Sequence, residues 1–384
     1  MEKKIKVAVV GLNFGGEFPE IYREHPFVES VALCEQDADK LSNYGKVLGY
    51  TELYDDYDKL LQSDVDAIHI TTGIPNHCEL TLKALRAGKH CACTVPMAIN
   101  LEDMKMIIRA ERECKKNYMM METTIYGFQS LYVKELLEKG EIGDIQYMRG
   151  IHFQDMESWP MYWMGLPPMY YATHAVAPLL YLSKSIPETV VCRGSGVMRT
   201  ALQKQYGNPY PVETALVTFR EKPFVADITR SLFEVAHEYV EGFTIMGNRG
   251  SFEWNFEREL PKVTRFRDRV VKSGLFYDRG RDMDTEEIKC LNMADKYLPE
   301  SLRRFTTSCT VLDPTNPHKS VIQGGAHHGS HPYMVNEFVN SIVEKRKPEV
   351  DAVTAAYWTA VGVCAHQSAM AGGKLVEIPD FSQI

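Results

Sequence analysis

Ile5-Lys6-Val7-Ala8-Val9-Val10-Gly11-Leu12-Asn13-Phe14-Gly15-Gly16 decides the fold. The apolar run Ile5–Leu12 predicts a buried strand, and the glycines after it open a helix, where a pyrophosphate would meet free backbone N–H groups. The pattern is G-x-N-x-x-G, with Asn13 where a second glycine would let the backbone approach phosphate. Two readings stay open on the motif itself. Gly11, Asn13, Phe14 and Gly16 border a dinucleotide, or the turn merely joins strand to helix. Glu35 favours the first, because it ends the next apolar run 19 residues after Gly16, where a carboxylate accepts from both adenosine ribose hydroxyls. A 2′-phosphate would meet a like charge there, so NAD is expected over NADP, with Lys40 able to modify the preference.

Outward from this turn, short apolar runs alternate with amphipathic segments as far as residue 124. Ile5–Leu12, Ser30–Glu35, Ala67–Thr72, His90–Val95 and Tyr118–Thr123 read as strands. Cys78–Ala87 and Leu101–Lys116 read as crossover helices, which implies a parallel sheet. Beyond Ser130 the rhythm changes to one helix, Leu131–Lys139, followed by strand-like runs at Ile145–His152, Thr189–Val197, Thr214–Phe219, Val225–Phe233 and Gly242–Trp254. Turns rather than helices separate these runs, so a mostly antiparallel sheet is expected. Asp278–Ser320 reads as a surface excursion, and the helices Pro332–Glu344 and Val353–Ala371 follow it. The division expected is 1–124 for the nucleotide domain and 125–384 for substrate binding and oligomerisation, in an α/β protein without internal repeats.

Composition agrees with two domains. The 384 residues are 45% hydrophobic and 24% charged, enough for a sizeable core and unlike a disordered chain. A net charge of −8 provides no electrostatic footprint for nucleic acid. Nine cysteines without a C-x-x-C pair point to reduced thiols, and the amino terminus enters a strand without a secretory core. No apolar run is long enough for a membrane span. A cytoplasmic protein without nucleic-acid or membrane partners is expected.

Two later segments belong on the carboxyl edge of the same sheet. Thr71-Thr72-Gly73-Ile74-Pro75-Asn76-His77 follows one strand, and Gly88-Lys89-His90-Cys91-Ala92-Cys93-Thr94-Val95-Pro96 contains the next. Thr72, Asn76, His77, Thr94 and Pro96 are the cofactor candidates there. His77 has a second reading, as a capping or partly buried histidine. In their order, the fingerprint, the acidic strand end, Thr-x-x-Pro-Asn-His, Ala-Gly-Lys-His and the strand ending at proline resemble the Gfo/Idh/MocA family of NAD(P)-dependent oxidoreductases, from about Lys4 to Phe381. The resemblance implies an N-terminal Rossmann domain and a C-terminal α/β domain with an open, mostly antiparallel sheet. One departure matters: the family usually has Glu-Lys-Pro where this chain has Thr94-Val95-Pro96, so the lysine that assists proton transfer is missing.

Another group must then take the hydroxyl proton. The resemblance places His174, within Tyr170-Tyr171-Ala172-Thr173-His174-Ala175-Val176-Ala177-Pro178, at the family's histidine. Tyr170 and Ala177 replace its usual acidic neighbours. Its ordinary pKa near 6.5 suits a base, and the alternative is a hydrogen-bonded core histidine. Met121-Glu122-Thr123-Thr124-Ile125-Tyr126-Gly127, the Tyr171–Pro178 run, and His328-Gly329-Ser330-His331 with Trp358 resemble the branch containing NAD-dependent α-N-acetylgalactosaminidases and glycoside 3-oxidising enzymes. That comparison turns Glu122, Tyr126 and Tyr171 toward a sugar, with partly buried packing the other reading for the two tyrosines, and with Glu122 and Tyr171 next in line as bases. His152, Asp155 and His328 are further substrate candidates. Trp159, Tyr162 and Trp163 stack on a ligand or cover a sheet or subunit contact, and Met119–Met121 is strand core. His327, His328 and His331 lack a partner at metal-site spacing, so no metal is expected. The expected activity is NAD-dependent oxidation of a secondary hydroxyl, the 3-hydroxyl, of a sugar or glycoside. The rivals are a redox-neutral glycosidase working by oxidation, elimination, hydration and reduction, and a non-catalytic sensor. Val217, Phe219, Val225 and Ile228 lead to the expectation that the open sheet needs a partner, hence a homo-oligomer.

Overall fold

The computed structural model describes residues 4–157, 166–256, 259–267, 281–289, 291–307, 309–311, 321–323 and 327–384. The first sheet is wholly parallel. Its strands β1 (Ile5–Val10), β2 (Val28–Cys34), β3 (Leu53–Tyr54), β4 (Ala67–Ile70), β5 (His90–Thr94) and β6 (Tyr118–Met121) lie in the order β3-β2-β1-β4-β5-β6. Helices α1 (Pro19–Arg23), α2 (Ala38–Leu48), α3 (Tyr57–Leu61), α4 (His77–Arg86) and α5 (Leu101–Cys114) connect them. Central strands such as β1 and β4 are apolar and buried almost throughout, as in a parallel sheet covered on both faces. Chain order reverses beside β1, which opens a crevice at the carboxyl ends of β1 and β4.

After α6 (Phe128–Glu138) comes β7 (Ile145–Phe153), then α7 (Thr173–Ser183), β8 (Pro187–Ser195), α8 (Thr200–Tyr206), β9 (Val212–Phe219), β10 (Val225–Ser231), β11 (Val240–Gly247), β12 (Gly250–Trp254), β13 (Lys262–Phe266) and β14 (Met283–Glu287). The short helices α9 (Ala294–Tyr297) and α10 (Glu300–Arg303), the hairpin β15 (Cys309–Val311) with β16 (Val321–Gln323), helices α11 (His331–Val343) and α12 (Ala352–Met370), and β17 (Val376–Glu377) follow. The second sheet runs β14-β13-β12-β11-β7-β10-β9-β8-β17, antiparallel except for the β7–β10 pair. Helix α7 packs on β7, β10 and β11, and α12 on β8 and β9. Gly150 is the reason α7 comes so close, because a Cβ there would lie 1.9 Å from the Ala175 carbonyl oxygen. Helix α12 also touches α5 and β6, so it lies between the two sheets and is buried almost all round.

Most expected strands are present with ends shifted by a residue or two. Gly242–Trp254 is a correction: it is the hairpin β11–β12, turned at Asn248-Arg249. The Asp278–Ser320 excursion contains β14, α9, α10 and β15 among its described residues, and the sequence pattern does not announce β3, β13, α2, α3 or α8. The apolar face argument also changes. Val217, Phe219 and Ile228 are buried within the single chain, and the outward face instead presents Val191, Leu216 and Met246. Trp159, Tyr162 and Trp163 lie outside the described residues. Among the described residues no helix is long and apolar enough to cross a membrane.

Candidate active site

A cavity of ≈ 930 Å³ follows the carboxyl edge of the first sheet and reaches α7 and Tyr239, the residue before β11, in the second domain. Gly11, Asn13, Phe14 and Glu35 line one part of it, and Thr72, Asn76, His77 and Thr94 continue the wall. Glu35 is held at both carboxylate oxygens: Leu12 N–H donates to Oε2 at 2.8 Å and Asp37 N–H to Oε1 at 3.2 Å. Lys40 Nζ donates to Asn13 Oδ1 at 2.7 Å and lies 3.7 Å from Glu35. Gly16 and Pro96 are set back from the cavity. A Cβ on Gly16 would strike the Tyr44 hydroxyl at 2.1 Å, so that glycine serves packing. His77 is fully buried, its Nδ1 2.8 Å from the Pro96 carbonyl and its Nε2 3.1 Å from that of Thr72. It therefore ties the bend after β5 to the end of β4. Thr72 Oγ1 and Thr123 Oγ1 are buried polar atoms of the wall with no hydrogen-bond partner among the described residues. Orphaned hydroxyls of this kind, with the Glu35 carboxylate, fit a dinucleotide rich in hydroxyl and amide groups.

At the far end His174 and Tyr171 face the cavity together. Tyr171 leads into α7 from the 3-10 turn Pro168–Tyr171, and His174 is the second residue of α7. Glu122 follows β6 and is fully buried behind the imidazole, its Oε1 accepting from His174 Nδ1 at 2.6 Å and from Thr124 N–H at 3.0 Å. This fixes the tautomer and leaves Nε2, 3.3 Å from the Tyr171 hydroxyl, as the basic atom. Burial pushes the His174 pKa down, but Glu122 and Glu241 outweigh it and hold the pKa above its ordinary 6.5. Burial likewise raises the Tyr171 phenol, opposed by the Arg230 charge.

Several expected contacts change place. Glu122 is bonded to His174 and does not line the cavity. Tyr126 is a correction: its hydroxyl reaches Glu349 at 3.2 Å, away from the cavity. Asp155 is another, since it is exposed while its neighbours Gln154 and Met156 line the wall, as strand-like alternation requires. His328 is replaced by His327, which lies in the wall while His328 packs against Trp254. His152 is fully buried behind the wall, its ring centroid 4.9 Å from that of His174. Burial drives its pKa well below the ordinary value, helped by the charges of Arg230 and His174.

Sequence reasoning missed Glu241, Arg230 and Tyr239. Glu241 on β11 accepts from the Tyr239 hydroxyl and lies 3.5 Å from His327 Nδ1. Burial works to raise its pKa, yet His174, His327 and His152 keep it well below the usual carboxylate range. Fully buried Arg230 bonds the carbonyls of Tyr171 and His152, and burial pushes its pKa down to about 9. Glu241 shares the inward phase of Phe243 and Ile245, and Arg230 that of Ala226 and Ile228, so a charge in the apolar phase of a strand was the available signal. Among the described residues no three His, Cys, Asp or Glu side chains form a group suited to a metal ion.

Comparison with known proteins bears on the domain, its cofactor and the fold. Residues 5–122 match the oxidoreductase family model described as an NAD-binding Rossmann fold, Gfo/Idh/MocA. This chain carries a Gfo/Idh/MocA NAD-binding Rossmann domain. Its residues 316–384 match the C-terminal domain of glycosyl hydrolase family 109. A Streptomyces niveus protein named for glycosyl hydrolase family 109 is 23% identical over 420 residues, covering 99% of this chain and 78% of that protein. A Bacteroides fragilis protein named for the same family is 26% identical over 198 residues, 46% of this chain, and the match spans only 43% of that relative's length. The Gfo/Idh/MocA fold also relates the chain to a levoglucosan dehydrogenase solved with NADH and levoglucosan, at 19% identity and a TM-score of 0.74, covering 98% of this chain and all of the other. A Lactobacillus plantarum myo-inositol 2-dehydrogenase gives 19% identity and a TM-score of 0.69, over 98% and 100% of the two chains. At such identities the likeness is one of fold.

Proposed function

We propose that this chain is an enzyme that uses NAD to oxidise a secondary hydroxyl, the 3-hydroxyl, of a sugar or glycoside. The observation carrying this reading is the Glu122–His174–Tyr171 array on the wall of the cavity that Glu35 borders. Glu35 with Leu12 would hold the adenosine end, and Thr72, Thr94 and Thr123 offer polar groups toward the other end. Bound NAD supplies the acceptor for hydride. The chain supplies the proton acceptor, which is Nε2 of His174, made more basic by the buried carboxylate on Nδ1. Val95 lines the wall where the family lysine would reach, and it exchanges no proton. The Tyr171 hydroxyl shares Nε2 and is placed to orient the reacting hydroxyl. The relatives named for sugar dehydrogenases support the substrate class. The family 109 match over residues 316–384 favours a second reading, in which the oxidised sugar loses its aglycone, adds water and is reduced again without net redox change. We further propose that the protein is cytoplasmic and homo-oligomeric.

The test is incubation of the purified protein with hexoses and aryl hexosides while NADH absorbance and aglycone release are followed together. NADH accumulation with intact glycoside supports the dehydrogenase, and aglycone release without NADH supports the glycosidase. Neither signal from any sugar that binds would leave the sensor.

A further inference from the structure

Glu213 and Arg230 face each other across β9 and β10 and are both fully buried. They converge on the Pro168–Tyr171 turn from its two ends. Glu213 Oε2 accepts from Met169 N–H at 3.0 Å, and its Oε1 lies 2.7 Å from Nδ1 of His366 on α12, whose ring stands edge-on to Tyr170 with centroids 5.3 Å apart. Arg230 Nε donates to the Tyr171 carbonyl at 2.8 Å, Nη1 to the His152 carbonyl at 3.0 Å and to that of Ser231, and Nη2 to Gln154 Oε1 at 3.1 Å. The guanidinium carbon also lies 5.4 Å from the Tyr171 ring centroid. Helix α12 presses from a third side, since a Cβ on Gly362 would come within 2.0 Å of the Met169 carbonyl oxygen.

Burying a guanidinium among carbonyls is a costly way to fill space, and an apolar side chain of that size would pack there without desolvating an ion. What the pair obtains is directional: one acceptor and one donor fix both ends of a single turn, and only Tyr171 on that turn reaches His174. We infer that Glu213 and Arg230 are positioning residues of the proton-transfer site, a cross-strand clamp that holds the Tyr171 phenol on Nε2 of His174. The inference rests on the proposed sugar-oxidising reading for its meaning, and its test does not need turnover.

His174 is followed by NMR in protein carrying ¹³Cε1-histidine, its signal assigned by loss in His174→Ala. The groups facing it are Glu122, Tyr171, Arg230, Glu241, His152 and His327, of which only Tyr171 is removed in Tyr171→Phe. That variant sets the shift produced by loss of the phenol contact. Glu213→Ala, and Arg230→Lys, which keeps the positive charge beside His174, are expected to reproduce the shift, and Glu213→Gln, whose amide oxygen still accepts from Met169, to show less of it. If Arg230→Lys fails to fold, Glu213→Ala is judged by the same comparison. With an active sugar in hand, the clamp variants lose at least about tenfold in kcat while KM and the calorimetric Kd for NAD move less than about threefold. Folded variants that leave His174 at its parental shift overturn the clamp, as does a Tyr171→Phe signal that does not move. Absence of turnover in the parent overturns the functional reading alone.

Discussion

In the proposed reaction His174 takes the hydroxyl proton through Nε2. His174→Ala is expected to lower turnover at least about a hundredfold with NAD affinity nearly unchanged, measured by steady-state kinetics and calorimetry on a variant whose melting curve is parental. The base must be neutral to act, so kcat/KM rises as pH passes the His174 pKa. Burial favours the neutral ring, and the Glu122 and Glu241 carboxylates override it, holding the pKa above 6.5. In Glu122→Gln one carboxylate is gone, burial is less opposed, and the rising limb of the pH–rate profile should move to lower pH. The stability effect has the matching sign. A raised folded pKa stabilises fully below 6.5 and ceases to do so as pH rises through it, so the variant's deficit in denaturant melts should be largest in acid and shrink toward alkali. A limb that stays put would remove Glu122 from this role. At the other end of the cavity, Glu35→Ala should narrow the preference for NAD over NADP from two sides. It removes the charge that repels a 2′-phosphate and frees Lys40, now 3.7 Å from that carboxylate, to receive one. Equal or tighter NADP binding to the parent protein would reject the assignment.

Among the elements, α7 matters most, because it delivers His174 to the cavity while lying directly on β7. Gly150→Ala puts a methyl group into the Ala175 carbonyl, and neither backbone can yield far. A loss of at least about 1–3 kcal/mol in urea unfolding is expected, with kcat falling alongside. An unchanged midpoint would show that α7 shifts freely. The parallel half of the fold was legible from sequence because each strand there is a continuous apolar run next to a helix-period segment, as in Val7–Val10 and Leu101–Cys114. The hairpin at Asn248-Arg249 was not, since flanking Gly247 and Gly250 sit within a continuous strand-like pattern from Gly242 to Trp254. In the site, Glu35, Thr72, His77 and His174 were legible because each stands beside a strand end or in a recognisable motif. Glu213, Arg230 and Glu241 were not, because their meaning lies in partners far along the chain that only the sheet register brings opposite. Tyr126 and Asp155 failed for a related reason: the sequence supplied their proximity to the site, and side-chain direction sent them elsewhere.

For the whole molecule, the open face of the second sheet is the surface to watch. It carries Val191, Leu216 and Met246 at 36%, 47% and 38% exposure among threonines and charged residues. Light scattering is expected to give at least a dimer, and Leu216→Glu to weaken it, whereas a monomeric parent would reject this. The carboxyl-terminal helices bear on a different question. Asn117 donates to Ser341 Oγ at 3.0 Å, the Met120 N–H on edge strand β6 donates to the Val350 carbonyl at 3.1 Å, and Arg112 Nη2 reaches the Ser382 carbonyl at 3.2 Å. The last stretch of chain thus seals the open edge of the nucleotide sheet. A chimaera that imports residues 1–124 from another such protein would set a foreign edge against a native seal. Because α12 also packs on β8 and β9 and β17 pairs with β8, the seal is shared by both sheets, and a graft of the first sheet has no boundary that leaves every contact native.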